Sequence, residues 1–293
     1  MYQNVIILAG GVSSRMKKSG PVTVNIDETL LNDAKKKSKA MIGVGEHRRP
    51  FLDYLLYNVK KAGYRDVVIV VGENDQLIRD SYGKSYTNNN FHGLTISYAV
   101  QKIPPGRTKP LGTVDAVQQA LFLRTDWAGQ TFTVCNSDNL YTQRALRLLL
   151  ETHHAGALID YNRRALLFDQ ARIEQFSVIQ KDKNGFLTNI IEKPSPEEIS
   201  LARDETGRIG VSMNIFRLSY DMIFPILGRI PLHPVRQEKE LPTAVALMAI
   251  EHPTSVAAIP LSEHVPDLTH PADIAVVQEF LKREFAGFSW DES

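Results

Sequence analysis

Cysteine is almost missing. Cys135 is the only one in 293 residues, so no disulfide can form within the chain, and a reducing compartment fits this usage. Cys135 closes the apolar run from Phe132 and reads as a buried structural thiol. An excess of either charge is also missing. There are 34 Lys and Arg against 33 Asp and Glu, a formal net charge of +1, so no global field recruits nucleic acid or an anionic membrane. Long hydrophobic runs are absent too. The first apolar stretch, Val5 to Ala9, is too short for a membrane span or signal peptide, and no basic region precedes it. The expectation is a soluble cytoplasmic protein with no nucleic-acid or membrane partner. No internal repeat and no linker rich in Pro, Gly or Ser divides the chain, so one domain over 1–293 is expected. With 43% hydrophobic residues it has ample material for a core.

Short β-branched runs alternate with helical stripes. Val5 to Leu8, Val67 to Val71, Leu94 to Val100 and Thr131 to Cys135 read as buried strands. Phe51 to Ala62 has a helical stripe at Leu52, Leu55, Leu56 and Val59, with Gly63 in a C-cap position. Val114 to Leu123 and Gln143 to Thr152 read as further helices. Continuous apolar strands between helices imply a largely parallel sheet covered on both faces, an α/β fold with three α/β/α layers. After Gly156 the pattern loosens. Phe176 to Ile179, Leu187 to Ile191 and Ile209 to Phe216 suggest a more antiparallel region, and Asp273 to Glu284 a closing helix. Lys17 to Lys39 is polar and poorly periodic and reads as a mobile loop, and Asn88 to Asn90 as a loop. The histidines read as surface residues, since none has enough neighbours for a zinc site. Glu238 to Glu240 reads as a solvated turn.

In an open parallel sheet, ligands sit beyond the carboxyl ends of the strands. Leu8-Ala9-Gly10-Gly11-Val12-Ser13-Ser14-Arg15-Met16 lies there. Its glycines let backbone N–H groups approach a phosphate or a base edge, and Arg15 brings a planar cation suited to phosphate oxygens. It lacks the third glycine of a dinucleotide fingerprint and the Gly-Lys-Ser/Thr of a Walker loop.

This segment resembles the signature of the sugar-1-phosphate nucleotidyltransferases, and the resemblance continues in order along nearly the whole chain. Ser38-Lys39-Ala40-Met41 is similar to a Lys-Pro-Met segment whose lysine contacts phosphates. Gln101, then Leu111-Gly112-Thr113-Val114-Asp115-Ala116, resembles a base-reading glutamine and a glycine-led helix start. Asn136-Ser137-Asp138-Asn139 resembles a Gly-Asp element that holds Mg²⁺, and Ile191-Glu192-Lys193-Pro194 matches Glu-Lys-Pro. Gly210 to Asn214 resembles a sugar-site strand, and Asp267-Leu268-Thr269 the segment with a second metal ligand. The chain departs in three places: the spacing from Arg15 to Lys39 is long, Lys35, Lys36 and Lys37 crowd Lys39, and Asn136-Ser137 replaces the usual glycine.

The resemblance implies a Rossmann-like, mixed and mainly parallel sheet of the nucleotide-diphospho-sugar transferase type. Its nucleotide half would cover about 1–140 and its sugar half about 141–293. It also implies a nucleoside triphosphate and a sugar 1-phosphate as substrates, Mg²⁺ as cofactor, and pyrophosphate as the released product. In that reading Arg15, Lys39 and Asp138 carry catalysis, and Asp138 and Asp267 hold the metal. Leu8, Ala9, Gly10, Gly11, Gln101, Gly112 and Thr113 bind the nucleotide. Glu192, Lys193, Gly210 and Asn214 bind the sugar phosphate, and Glu240 is a further sugar-site candidate. Lys35, Lys36 and Lys37 crowd Lys39, so the choice of phosphate lysine stays open, as do the base, the sugar and a homo-oligomeric state. A non-catalytic nucleotide-sugar sensor and a cytidylyltransferase for a non-sugar phosphate stay open as alternatives.

Overall fold

The computed structural model describes residues 2–18 and 26–290. One sheet of eleven strands runs through it. The strands are β1 (Asn4–Leu8), β2 (Asp66–Gly72), β3 (Asn89–Phe91), β4 (Leu94–Gln101), β5 (Thr131–Asn136), β6 (Gly156–Asn162), β7 (Val178–Lys181), β8 (Leu187–Ile191), β9 (Gly210–Val211), β10 (Ile215–Ser219) and β11 (Val256–Leu261). They lie in the order β3-β4-β2-β1-β5-β10-β6-β9-β7-β8, and β11 pairs with β6.

The centre, β4-β2-β1-β5, is parallel. β10 joins it antiparallel, as do the short strands beyond, while β11 runs parallel to β6. The register sets the chemistry. Leu8 lies opposite both Val70 and Asn136, Gly72 lies opposite Gln101, and antiparallel β10 starts opposite Cys135. The ends of β1, β4 and β5 and the start of β10 therefore open at one edge of the sheet.

Both faces of the sheet are covered. The helices are α1 (Ser14–Lys18), α2 (Glu28–Lys36), α3 (Phe51–Ala62), α4 (Gln76–Tyr82), α5 (Thr113–Leu123), α6 (Gln143–Glu151), α7 (Gln170–Ile173), α8 (Pro196–Leu201), α9 (Tyr220–Leu227), α10 (Leu241–Glu251) and α11 (Asp273–Glu284). Val5, Ile7, Val67 and Ile69 pack on one face with α3, α6 and α11. Ile6, Val68 and Val70 pack on the other with α5, α9 and α10. This alternation on a sheet buried on both sides explains why the central strands read as continuous apolar runs. Gly63 ends α3 at φ +109°, as a left-handed C-cap requires, and Cys135 is fully buried. Among the described residues no helix is long and apolar enough to cross a membrane.

Four expectations need correction. Within Lys17 to Lys39, residues 19–25 lie outside the described residues, but 28–36 form helix α2. Asp27 caps it by accepting from the Thr29 N–H at 2.7 Å, and Leu30 and Ala34 are buried. Inside it Asp33 accepts from Lys37 at 2.9 Å and from Arg48 at 2.9 Å. Such a short polar helix depends on these tertiary contacts rather than on a long stripe. Asn88 to Asn90 is not all loop, because Asn89–Phe91 pairs with β4 as an edge strand. Ile209 to Phe216 is not one strand. It breaks at Ser212–Asn214, where Asn214 takes φ +55°. Finally, His264 is half-buried rather than on the surface.

The Nδ1 of His264 accepts the Leu167 N–H at 3.1 Å, and its ring meets Phe168 edge-on. Burial, helped by the charges of Arg172 and Arg283, holds its pKa down at about 4. An unfolded histidine titrates near 6.5, so between these values the folded state binds fewer protons and acid favours unfolding. Stability should therefore be full above about pH 6.5 and fall as the pH drops towards 4. The loss should be about 1–2 kcal/mol after allowing for solvent screening. His264→Gln keeps an acceptor without the charge. Urea unfolding at pH 5 and pH 7 should show a smaller difference in this variant than in the parent, and an equal difference would refute the assignment.

Candidate functional site

A cleft opens at the shared strand edge. Its wall includes Leu8, Ala9, Gly10, Gly11, Arg15, Lys39, Gln101, Gly112, Thr113, Asp138, Glu192 and Asn214. Most of the residues expected from sequence thus meet in one place. Leu8, Gln101 and the residues after β5 reach it at strand ends, and Lys39 on a 3₁₀ turn.

Asp138 follows β5, and its neighbour Asn139 forms an antiparallel bridge with Asp267. Two backbone bonds lock this pairing: Leu268 N–H to Asp138 C=O at 2.9 Å and Leu140 N–H to Pro266 C=O at 2.9 Å. Carboxylates separated by more than a hundred residues are thereby set side by side. Each has a cation. Lys39 Nζ lies 2.7 Å from Asp138, and Arg172 Nη2 lies 3.0 Å from Asp267. The Thr269 hydroxyl donates to Asp267 at 2.7 Å. Burial first, and the Asp138 charge second, push Asp267 above the usual carboxylate range.

Geometry also separates the crowded lysines. Lys39 is buried on a single 3₁₀ turn, Lys39–Met41, and lines the cleft. Lys37 pairs with Asp33, and Lys35 and Lys36 are exposed in the last turn of α2.

Across the cleft, α5 begins at Gly112 with φ +108°. A Cβ there would fall 2.5 Å from the Lys239 carbonyl oxygen, so only glycine lets these two backbones meet. They are zipped together by Lys239 N–H to Leu111 C=O at 2.6 Å and Val114 N–H to Lys239 C=O at 3.1 Å. Leu241 N–H donates to the Thr113 hydroxyl at 2.8 Å, and Lys109 binds Glu238 at 2.6 Å. Glu238 to Glu240 is therefore a wall of the cleft, not a solvated turn. Burial raises the pKa of Glu240. Arg236 bridges Glu240 at 2.5 Å and Glu192 at 3.3 Å.

Three sequence candidates lie outside the wall. Asp267 does not line it and is held by Arg172 and Thr269. Lys193 is exposed, with φ +49°. Gly210 is buried against Asp160, and a Cβ there would collide with the Asp160 carboxylate. That carboxylate is fully buried and paired with Lys181 at 2.7 Å and Arg208 at 2.5 Å.

Sequence reasoning missed Arg172, Lys109 and Arg236. Each is a single charged residue in an irregular or very short element, and no local pattern marks it. Among the described residues no group of three or more His, Cys, Asp and Glu is assembled for a metal.

The fold agrees with what the chain is similar to. Over 97% of its length it superposes on all of a UDP-glucose pyrophosphorylase crystallised with UDP-glucose, at TM-score 0.70 and 16% identity. It is 24% identical over 250 residues to the bifunctional protein GlmU of Staphylococcus epidermidis, and 24% identical over 255 residues to that of Staphylococcus haemolyticus. These alignments cover 85% and 86% of the chain but 46% of each GlmU, so the chain spans about half the length of these curated relatives. The family model described as Nucleotidyl transferase matches residues 4–223, and the chain belongs to the nucleotidyl transferase family.

Proposed function

We propose that the protein is a Mg²⁺-dependent sugar-1-phosphate nucleotidyltransferase, which joins a nucleoside triphosphate to a sugar 1-phosphate and releases pyrophosphate. The observation that carries this is the convergence at one sheet edge of the glycine loop, the Lys39–Asp138 pair with Asp267 beside it, and the polar wall of Glu192 and Asn214. The pyrophosphorylase and GlmU likenesses support it.

A sugar phosphate oxygen attacks the α-phosphorus in line, and the α–β phosphoanhydride bond breaks as pyrophosphate leaves. The nucleophile is already ionised at neutral pH, so no general base is required. The barrier lies in bringing two anions together and spreading the charge that develops. Arg15 and Lys39 supply cations to the triphosphate, each worth roughly a few kcal/mol of barrier. Gly10 and Gly11 let backbone N–H groups reach phosphate oxygens, and the N-terminus of α5 adds its positive dipole end. Gln101 meets the base, while Glu192 and Asn214 suit sugar hydroxyls. Lys193 is assigned to the sugar phosphate on its Glu-Lys-Pro match alone.

The donor set fits Mg²⁺. Two adjacent all-oxygen ligands, Asp138 and Asp267, suit a hard cation that completes its shell with phosphate and water oxygens. When bound, such an ion neutralises phosphate charge and orients the two reactants.

The test is pyrophosphate release with Mg²⁺ across panels of nucleoside triphosphates and sugar 1-phosphates. Release should depend on both substrates, and no release across broad panels would refute the reading.

A further inference from the structure

Both carboxylate oxygens of Asp267 are engaged. Oδ1 accepts from the Thr269 hydroxyl at 2.7 Å, and Oδ2 pairs with Arg172 Nη2 at 3.0 Å. The two side chains of this pair are only 13% and 19% exposed, so water competes weakly for either charge. A cation that is to use Asp267 must therefore displace the guanidinium. Arg172 is placed to let go. Its Nη1 lies closer to a second carboxylate, Asp273 Oδ1, at 2.5 Å, and its guanidinium carbon sits 4.4 Å from the centre of the Phe168 ring. Neither contact involves Asp267. Asp273 is not free to move with Asp267, because its Oδ2 accepts the Thr269 and His270 N–H groups at 2.8 Å and 2.7 Å at the start of α11. The backbone of Arg172 is fixed in turn, since Asp169 caps α7 by accepting the Arg172 N–H at 2.9 Å. The guanidinium thus has a standing place beside Asp273 and a second, exchangeable hold on Asp267.

We infer that Arg172 is a positioning residue that latches Asp267: it takes the place of a divalent cation at this carboxylate and so lowers the metal affinity of the free protein. This rests on the nucleotidyltransferase reading above, in which Asp267 is a metal ligand, and deepens it. Only molecules with the latch open present Asp267, and the apparent dissociation constant rises in proportion as they are few. The latch also has a use of its own. Asp138 and Asp267 lie side by side, and Lys39 on the one and Arg172 on the other neutralise them before any metal arrives. Arg172 touches neither the nucleotide cleft wall nor Asp138. It acts through Asp267 alone.

The experiment titrates Mn²⁺ into the whole protein without nucleotide and follows the loss of the free-ion EPR signal. Arg172→Gln should bind Mn²⁺ about tenfold more tightly than the parent, because the competing cation is gone. The same substitution in an Asp267→Asn background should change binding by less than about twofold, since the latch then has no carboxylate to release. Arg172→Lys keeps the charge but spans one carboxylate in place of two, so it should tighten binding as well. It takes over the test if a thermal melt shows that Arg172→Gln folds poorly. An arginine that merely props Asp267 in place would give weaker or unchanged binding when replaced. A long-range charge effect would tighten binding equally in both backgrounds. Either result, or no measurable binding in parent and variant alike, overturns the inference. The expected Mn²⁺ pattern in a protein that releases no pyrophosphate would overturn the proposed function while supporting this inference, and turnover with unchanged Mn²⁺ binding would do the reverse.

Discussion

Replacing Asp138 by alanine should lower turnover by about 10²- to 10³-fold while moving the melting temperature by no more than about 2 °C. The catalytic loss follows from its place. Asp138 lines the cleft, binds Lys39 at 2.7 Å and sits beside Asp267. It would both ligate the cation and aim the lysine, and losing a preorganised charge of this kind costs roughly 3–4 kcal/mol of barrier. The small stability change comes from two opposed effects. Truncation leaves Lys39 without its carboxylate, but it also removes the repulsion that helps raise the pKa of Asp267. Pyrophosphate release and a thermal melt on the same preparation check both halves. Activity within tenfold of the parent would remove Asp138 from the catalytic set.

Gly210→Ala should instead act on folding, with a melting temperature lower by about 6–10 °C. The added methyl would occupy the space of the Asp160 carboxylate, which is fully buried and held by Lys181 and Arg208. Moving that carboxylate disturbs a buried ionic cluster, and breaking such a cluster costs about 3–5 kcal/mol. For a chain of this size each kcal/mol corresponds to roughly 2–4 °C, the lower end applying here. A variant with an unshifted melt and a raised KM for the sugar phosphate would return Gly210 to the sugar pocket.

The parallel core was readable because each central strand is a β-branched run ending in a polar or glycine turn, as in Asp66–Gly72. Helix α3 was readable because one face is apolar and a glycine closes it. Helix α10 was not, since Leu241–Glu251 is apolar nearly all round and buried between α5, α9 and β8, so it shows no stripe. Strands β6 and β11 were missed for another reason. Asp160 interrupts the apolar run of one and Pro260 that of the other, and the two residues face each other in the register. At the site, Arg15, Asp138 and Glu192 stood in short motifs beside strand ends, and Lys39 in a short motif on a 3₁₀ turn. Arg172 lies on a four-residue helix and Arg236 outside any element, and only tertiary packing brings each to its carboxylate.

Lys39 pairs with Asp138 in the cleft wall, and Arg172 pairs with Asp267 next to it, so the acidic pair is held in matched couples. Seen from a Debye length away, such couples nearly cancel, and the chain as a whole carries a net charge of only +1. On the proposed function, an approaching nucleotide would not be drawn in from afar but would be captured by exchange of partners inside the cleft, and its association rate should change by less than about threefold between 50 and 300 mM salt in stopped-flow binding.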